Sequence, residues 1–408
     1  MPNVVFVAPY PAEATLRFTQ AAATEAGVRL GLISHQGLEQ TPERLRRVVK
    51  GHWQVDNALD PDQLETGVRG LAGQLGSVDR LIGVLEQLQV PLAEVRDRLG
   101  IPGMGPEVAK NFRDKARMKT VLRNAGIPCA RHCLAESHDE AVAFARQVDG
   151  PLVVKPPAGA GAKATFRVDS EQRLREILAF THPSAAAPVL LEEHLTGRER
   201  SFETVMVDGR PVWHSISHYL PTPLEVLQKP WIQWCVILPR KISGAEYDPI
   251  RKIGIDALRA LGLETGLSHM EWFELAGGRI AVSEVGARPP GAQITTMTSL
   301  AHDFDLYRAW SRLMIHDQFD PPERKYAAGA AFLRAQGEGR RVARIRGVEQ
   351  AQRELGDLVV EAKLPKPGQP RGDGYEGEGW VLLRHPETEV VEKALFRLIN
   401  ILRVEATE

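Results

Sequence analysis

The chain has 408 residues, 43% hydrophobic and 25% charged, with 51 basic and 52 acidic side chains giving a formal net charge of -1. So even a balance offers no global field to nucleic acid or an anionic membrane, and the length supports a large core without covalent staples. Three cysteines (Cys129, Cys133, Cys235) build no disulfide framework and form no CxxC pair, so reduced thiols in a cytoplasmic protein are expected. The opening Met-Pro-Asn followed by Val4–Ala8 is too short for a signal peptide or a membrane span.

Val4–Ala8 and Val28–Ser34 read as strands, with a helix over Ala12–Ala26 between them. Gln63–Leu75 reads as a second helix before the apolar run Arg80–Leu85. Strands alternating with helical patterns predict a parallel sheet covered on both faces. No GxGxxG follows the first strand, so no dinucleotide site is indicated there. The glycine-rich loop Gly100–Gly105 marks a boundary. Beyond it Pro106–Ala125 is helical in pattern and ends at Gly126-Ile127-Pro128. A helix over Glu140–Val148, short strands at Pro151–Lys155 and Ala164–Val168, and a helix over Glu171–Phe180 follow. Strands predominate through Val285 and again from Tyr326. Pro365–Gly374 reads as a surface turn, Val390–Leu398 as the last helix and Ile401–Val404 as a closing strand.

Three patterns carry chemistry. Lys155 ends its strand and is followed by Pro156-Pro-Ala-Gly-Ala-Gly-Ala162. Backbone N–H groups of a loop without bulky side chains can approach phosphate oxygens, and a lysine at its root adds a point charge. An ordinary hairpin loop has the same look, and the Walker A spacing is absent.

The second pattern is a pair of alternating runs, Met270–Leu275 and Arg279–Val285, around Ala276-Gly277-Gly278. Gly277-Gly278 suits a two-residue type I′ turn. That register sets Leu275 against Ile280, Phe273 against Val282 and Glu271 against Glu284, the carboxylates about 4.5–5.5 Å apart at Cβ. Like charges so placed repel, and a divalent cation such as Mg²⁺ or Mn²⁺ cancels the repulsion. A one-residue slip would instead leave both carboxylates in solvent.

The third pattern is Arg288 in Gly286-Ala-Arg-Pro-Pro-Gly291, a guanidinium able to hold a carboxylate or phosphoryl oxygen bidentately. Softer signals are Glu192 and Glu193 closing an apolar run, and a gathering of His214, His218, Trp231 and Trp234 that either lines a small-molecule pocket or packs a subdomain.

In order along the chain, Asp114-Lys115, Gly126-Ile-Pro128, Lys155 with its small-residue loop, Glu192-Glu193 and Glu271…Glu284-x-x-x-Arg288 resemble the ATP-grasp superfamily, and within it carboxylate–amine ligases of the L-amino-acid ligase type. The resemblance implies an α/β fold with a Rossmann-like parallel domain over 1–105. An ATP-grasp region of two α+β subdomains would follow over 106–325, with a small lid at about 126–195, and then a strand-rich segment over 326–408. It implies ATP and Mg²⁺ (or Mn²⁺) as cofactors. Lys115 and Lys155 would contact phosphates, with Gly159 and Gly161 in a loop that closes over them. Glu192, Glu193 and Leu195 would border adenine and Glu199 the ribose. Glu271 and Glu284 would hold the metal, and Arg288 would stabilise an acyl-phosphate. This chain has Gly286 where many relatives place an asparagine metal ligand, which leaves open whether one or two ions bind.

The activity so implied is amide formation between a small carboxylic acid and an amine, through an acyl-phosphate, with release of ADP and phosphate. An ATP-dependent carboxylase and a silent nucleotide-binding module are the alternatives. Partners are small molecules, with neither nucleic acid nor membrane, and a homodimer is the one assembly anticipated.

Overall fold

The computed structural model describes residues 1–159, 164–229 and 231–407. In chain order the strands are β1 (Asn3–Val7), β2 (Arg29–Ser34), β3 (Gly51–Gln54), β4 (Arg80–Ile82), β5 (His132–Ala135), β6 (Leu152–Lys155), β7 (Phe166–Val168), β8 (Val189–Glu193) and β9 (Gly197–Val207). They continue with β10 (Arg210–Leu220), β11 (Trp234–Leu238), β12 (Gly266–Leu275), β13 (Ile280–Gly286), β14 (Ala327–Leu333), β15 (Arg341–Arg346), β16 (Val359–Lys363), β17 (Gly379–His385) and β18 (Arg403–Thr407).

The first four strands form a sheet in the order β3-β2-β1-β4 with every pairing parallel. All five residues of β1 are buried, as a parallel strand covered on both faces requires. The short strand β3 is an addition to the sequence expectation; its Gly-His-Trp-Gln lacks the apolar run of its neighbours because it is the edge of the sheet.

β5-β8-β6-β7 form a second, antiparallel sheet, backed by the helices His138–Val148 and Glu171–Thr181. The third sheet has eight strands in the order β13-β12-β9-β10-β11-β14-β17-β16, all antiparallel. It includes strands from 197–286 and from 327–385, so the C-terminal part of the chain continues the same sheet. β15 and β18 pair separately.

One face of the large sheet packs on the helix Asp248–Leu261, whose buried Ile250, Gly254, Ala257, Leu258 and Leu261 follow helical spacing. Sequence reading passed over that helix among the surrounding strands. The expected single helix Pro106–Ala125 is two, Pro106–Arg113 and Lys115–Asn124. Asp114 breaks it by taking extended backbone and capping the second helix, accepting from the Ala116 and Arg117 amides at 2.9 and 3.0 Å. Among the described residues no helix is long and apolar enough to cross a membrane.

Candidate active site

A cavity of about 460 Å³ opens between the β5–β8 sheet and the large sheet. Lys155, Glu192 and Glu193 reach it from the β5–β8 sheet; Glu199, Tyr219, His269, Glu271 and Glu284 reach it from β9, β10, β12 and β13. Lys115 enters from the helix that Asp114 caps, Arg288 from the loop after β13, and Glu86 from the turn that follows β4.

The facing glutamates form, though by a different route from the expected one. The turn is a three-residue loop, Ala276–Gly278, with Gly277 and Gly278 at φ 73° and 72°, and the Leu275 amide donates to the Arg279 carbonyl at 2.8 Å. This pairs Trp272 with Val282 and Phe273 with Ala281, one residue out of the expected register. A bulge in β13 at Ser283 then restores it, so Glu271 stands opposite Glu284. The bulge lets Val282 and Val285 both turn into the core while Glu284 turns into the cavity.

Charge in the cavity is tightly paired. Lys115 Nζ lies 2.9 Å from Glu284 Oε1 and donates to the Gly159 carbonyl at 3.0 Å. Lys155 Nζ lies 2.9 Å from Glu192 Oε1, and the fully buried Lys119 approaches the same oxygen at 3.4 Å. Lys119 also donates to the Ser283 carbonyl at 2.9 Å, which ties it to the bulge. Burial opposes the Lys155 ammonium, but Glu192 and Glu284 outweigh it and hold its pKa above the ordinary lysine value. Burial wins at Lys119, whose pKa falls despite Glu192. Burial likewise opposes the Glu284 carboxylate, and Lys115 with Lys155 pull it below the usual range. Glu199 goes the other way: burial, then the Glu271 charge, push its carboxyl well up.

His269 Nδ1 meets Glu203 Oε1 at 2.8 Å and its Nε2 stands 3.7 Å from Glu271 Oε1, while Tyr219 donates its hydroxyl to Glu271 at 3.3 Å. Arg288 pairs through Nε with Glu86 and donates to the Pro289 carbonyl at 2.9 Å. Among the described residues no group of three or more His, Cys, Asp and Glu is arranged to hold a metal by itself.

Lys115, Lys155, Gly159, Glu192, Glu193, Leu195, Glu199, Glu271, Glu284, Arg288 and Trp234 therefore meet in one cavity; Gly161 lies outside the described residues. Glu193 is bound to Arg131, with Oε2 at 2.6 Å from Nε, and Glu192 is committed to two lysines, so neither carboxylate is free at the cavity wall. Three expectations are corrected. His214 and His218 do not line the cavity, because they point to the opposite face of β10, where His218 meets the Tyr247 hydroxyl at 3.1 Å and His214 packs on Phe202. Trp231 is 66% exposed and also outside the lining.

Sequence reasoning missed Glu86, Lys119, Glu203, Tyr219 and His269, and also Tyr375, which lines the cavity from the segment before β17. Alternation alone places His269 on the Glu271 side of β12, and Glu203 on the Glu199 side of β9. Lys119 is one helical turn from Lys115. Glu86 and Tyr375 are brought in by topology, and no local pattern marks them.

Residues 120–302 match the ATP-grasp domain, and the chain carries an ATP-grasp domain within a mixed α/β fold. It is 24% identical over 248 residues to the L-arginine-specific L-amino acid ligase of Bacillus subtilis, a match covering 60% of this chain and 59% of that protein. It is 27% identical over 267 residues to the carbamoyl phosphate synthase large chain of Streptomyces coelicolor, covering 62% of this chain and 22% of that one. The fold superposes on the L-amino acid ligase from Bacillus licheniformis with a TM-score of 0.80 at 19% identity, covering 100% and 99% of the two chains. N5-carboxyaminoimidazole ribonucleotide synthetase from Thermotoga maritima gives 0.74 at 17%, covering 100% of each.

Proposed function

We propose that this protein is an ATP-dependent carboxylate–amine ligase that joins an amino acid to another small acid or amino acid. The observation that carries the reading is one cavity holding two facing glutamates, the lysines Lys115 and Lys155, and Arg288 beneath the β5–β8 sheet. The similarity to L-amino acid ligases in both sequence and fold supports it. A substrate carboxylate attacks the γ-phosphate of ATP, giving an acyl-phosphate and ADP. An amine then attacks the acyl carbon and expels phosphate.

The chain supplies position and charge rather than a covalent nucleophile. Lys115 and Lys155 hold phosphate oxygens, exchanging their carboxylate partners for them. Gly159, whose carbonyl accepts from Lys115, belongs to the segment that would exclude water, which would otherwise hydrolyse the acyl-phosphate. Glu192, Glu193 and Leu195 border the adenine, the first two through the edge they hold in place. Glu199, with its carboxyl biased towards the protonated form, faces the ribose. Arg288, oriented by Glu86, stabilises the acyl-phosphate and its tetrahedral successor.

The donor set fits a hard divalent cation carried in with the nucleotide, since Mg²⁺ is commonly held by one or two carboxylates plus phosphates. Glu271 and Glu284 would hold it, and it would neutralise phosphate charge. A cytoplasmic location and a homodimer complete the reading, the latter checked by sedimentation.

The test is product analysis with Mg-ATP and the twenty amino acids. ADP, phosphate and a dipeptide mass are expected. AMP with pyrophosphate would overturn the acyl-phosphate route, and bicarbonate-dependent ADP release without an amine would move the protein to carboxylation.

A further inference from the structure

A second cavity, of about 20 Å³, lies behind Arg288, where the first sheet and its helices meet the large sheet. Its walls include Arg96, Arg288, Gln89, Thr265 and Met104, with apolar side chains completing them and no carboxylate among them. Arg288 lines this cavity and the larger one alike.

Arg96 is the unusual group. It sits in the helix Gln89–Leu99 with only 5% of its surface exposed. Its Nη1 makes one long contact, 3.4 Å, to the Leu81 carbonyl, while Nε and Nη2 are buried and have no hydrogen-bond partner among the described residues. No ion pair to it is found among those residues. The loop Gly100–Gly105 is folded down over it: at Gly103, with φ +142°, a Cβ would stand 3.0 Å from Arg96 Cδ and 3.2 Å from Nη1. Burial is the one influence on its pKa, which falls to about 10, so the guanidinium is still charged at neutral pH.

A buried, uncompensated guanidinium is among the costliest arrangements a protein can hold. Its orphan donors require an explanation beyond packing. Water would satisfy the donors and leave the charge. A second guanidinium, Arg288, stands in the wall of the same cavity, and its own carboxylate, Glu86, is already engaged. About 10–15 Å³ suffices for one water-sized particle, so the space admits a single small ion and excludes phosphate or a nucleotide fragment.

We propose that this cavity binds one small monovalent inorganic anion of about chloride size, held by Arg96 and seated behind Arg288. The anion balances the buried guanidinium and lessens repulsion between the two arginines. It thereby holds the Ala287–Pro289 turn against the helix Gln89–Leu99. The site does not depend on which reaction the larger cavity performs.

The direct test is a crystal of the whole protein grown in sodium bromide, with data at the bromine edge. An anomalous peak in the cavity within hydrogen-bond reach of Arg96 is expected. A water-sized peak there without anomalous signal, or bromine at the surface alone, overturns the proposal. The second test compares melting in sodium chloride and sodium gluconate at one ionic strength. Chloride should raise Tm on the order of 2 °C in the native protein, and the difference should vanish in Arg96→Gln. Equal melting of the native protein in both salts also overturns it. Both native-protein readings stand even where Arg96→Gln fails to fold.

Discussion

Glu86 Oε2 meets Arg288 Nε at 2.5 Å, joining residues 202 apart in the chain. Gly286 makes room for that pair, since a Cβ on it would stand 3.1 Å from the same Glu86 oxygen. Position 286 is thus shaped around a carboxylate from the turn that follows β4. Glu86→Gln should free Arg288 and lower kcat/KM about 10²-fold, the scale of losing one oriented charge donor. Gly286→Asn should act in the same direction by displacing Glu86. Steady-state ADP release measures both, and unchanged activity in Gly286→Asn would separate Glu86 from Arg288 function.

Glu192 is shared by Lys155, which is partly buried, and Lys119, which is fully buried. Glu192→Gln leaves two ammonium groups without their counter-charge, so unfolding in urea should show a loss of about 3–5 kcal/mol. Combining it with Lys119→Met should recover part of that loss, because one of the two orphaned charges is removed. The two lysines hold the Glu192 carboxyl below its ordinary 4.5 although burial pushes it up. Its contribution is therefore present above about pH 4.5 and is lost as pH falls through the lower folded value.

Glu271→Gln and Glu284→Gln should each cut turnover at least 10²–10³-fold, as loss of transition-state charge stabilisation does, and raise the Mg²⁺ concentration needed for half-maximal rate. The two differ in one respect. Glu284→Gln also takes the partner from Lys115, so KM for ATP should shift more in that variant. Initial rates across Mg²⁺ and ATP concentrations would show it; identical profiles would argue against unequal roles.

His214, His218 and His302 are held neutral, burial being the first cause in each, with pKa values lowered to about 4, about 3 and about 4. An unfolded chain takes up these protons near pH 6.5, so the native state loses stability from about pH 6.5 down towards pH 4. Melting curves between pH 7.5 and 4.5 should slope downward, and His218→Phe should flatten part of the slope. A flat profile in the native protein would contradict it.

Much of this site is legible because it rests on local periodicity. Alternation along β12 and β13 brings Glu271 and Glu284 face to face, whereas the break at Asp114 that starts the Lys115 helix was hidden inside one continuous helical pattern. The intermediate steps were less legible. Sequence alone favoured a two-residue turn, whereas a three-residue loop and a compensating bulge reach the same pairing, because two register changes cancel and leave no trace in the residues between. His214 and His218 misled for a related reason: an imidazole on an alternating strand belongs to either face, and the neighbour that decides, Tyr247, lies in another element. Glu86, Tyr375 and the Arg96 cavity depend on contacts between distant segments, which periodicity does not encode.

The segment recognisable as an ATP-grasp domain ends at residue 302, yet the sheet that carries the glutamates runs on through β14, β17 and β16. A fragment stopped there would keep every charged group discussed above and lose the strand that pairs with β11, whose five residues are all buried. That bare, apolar border would invite strand-to-strand aggregation. Expression of the catalytic core by itself therefore calls for the chain through the helix Thr388–Ile401, whose Val391, Leu395 and Leu398 pack in one core with β14 and β17, and the sequence limits of a recognisable module are here a poor guide to the smallest piece that folds.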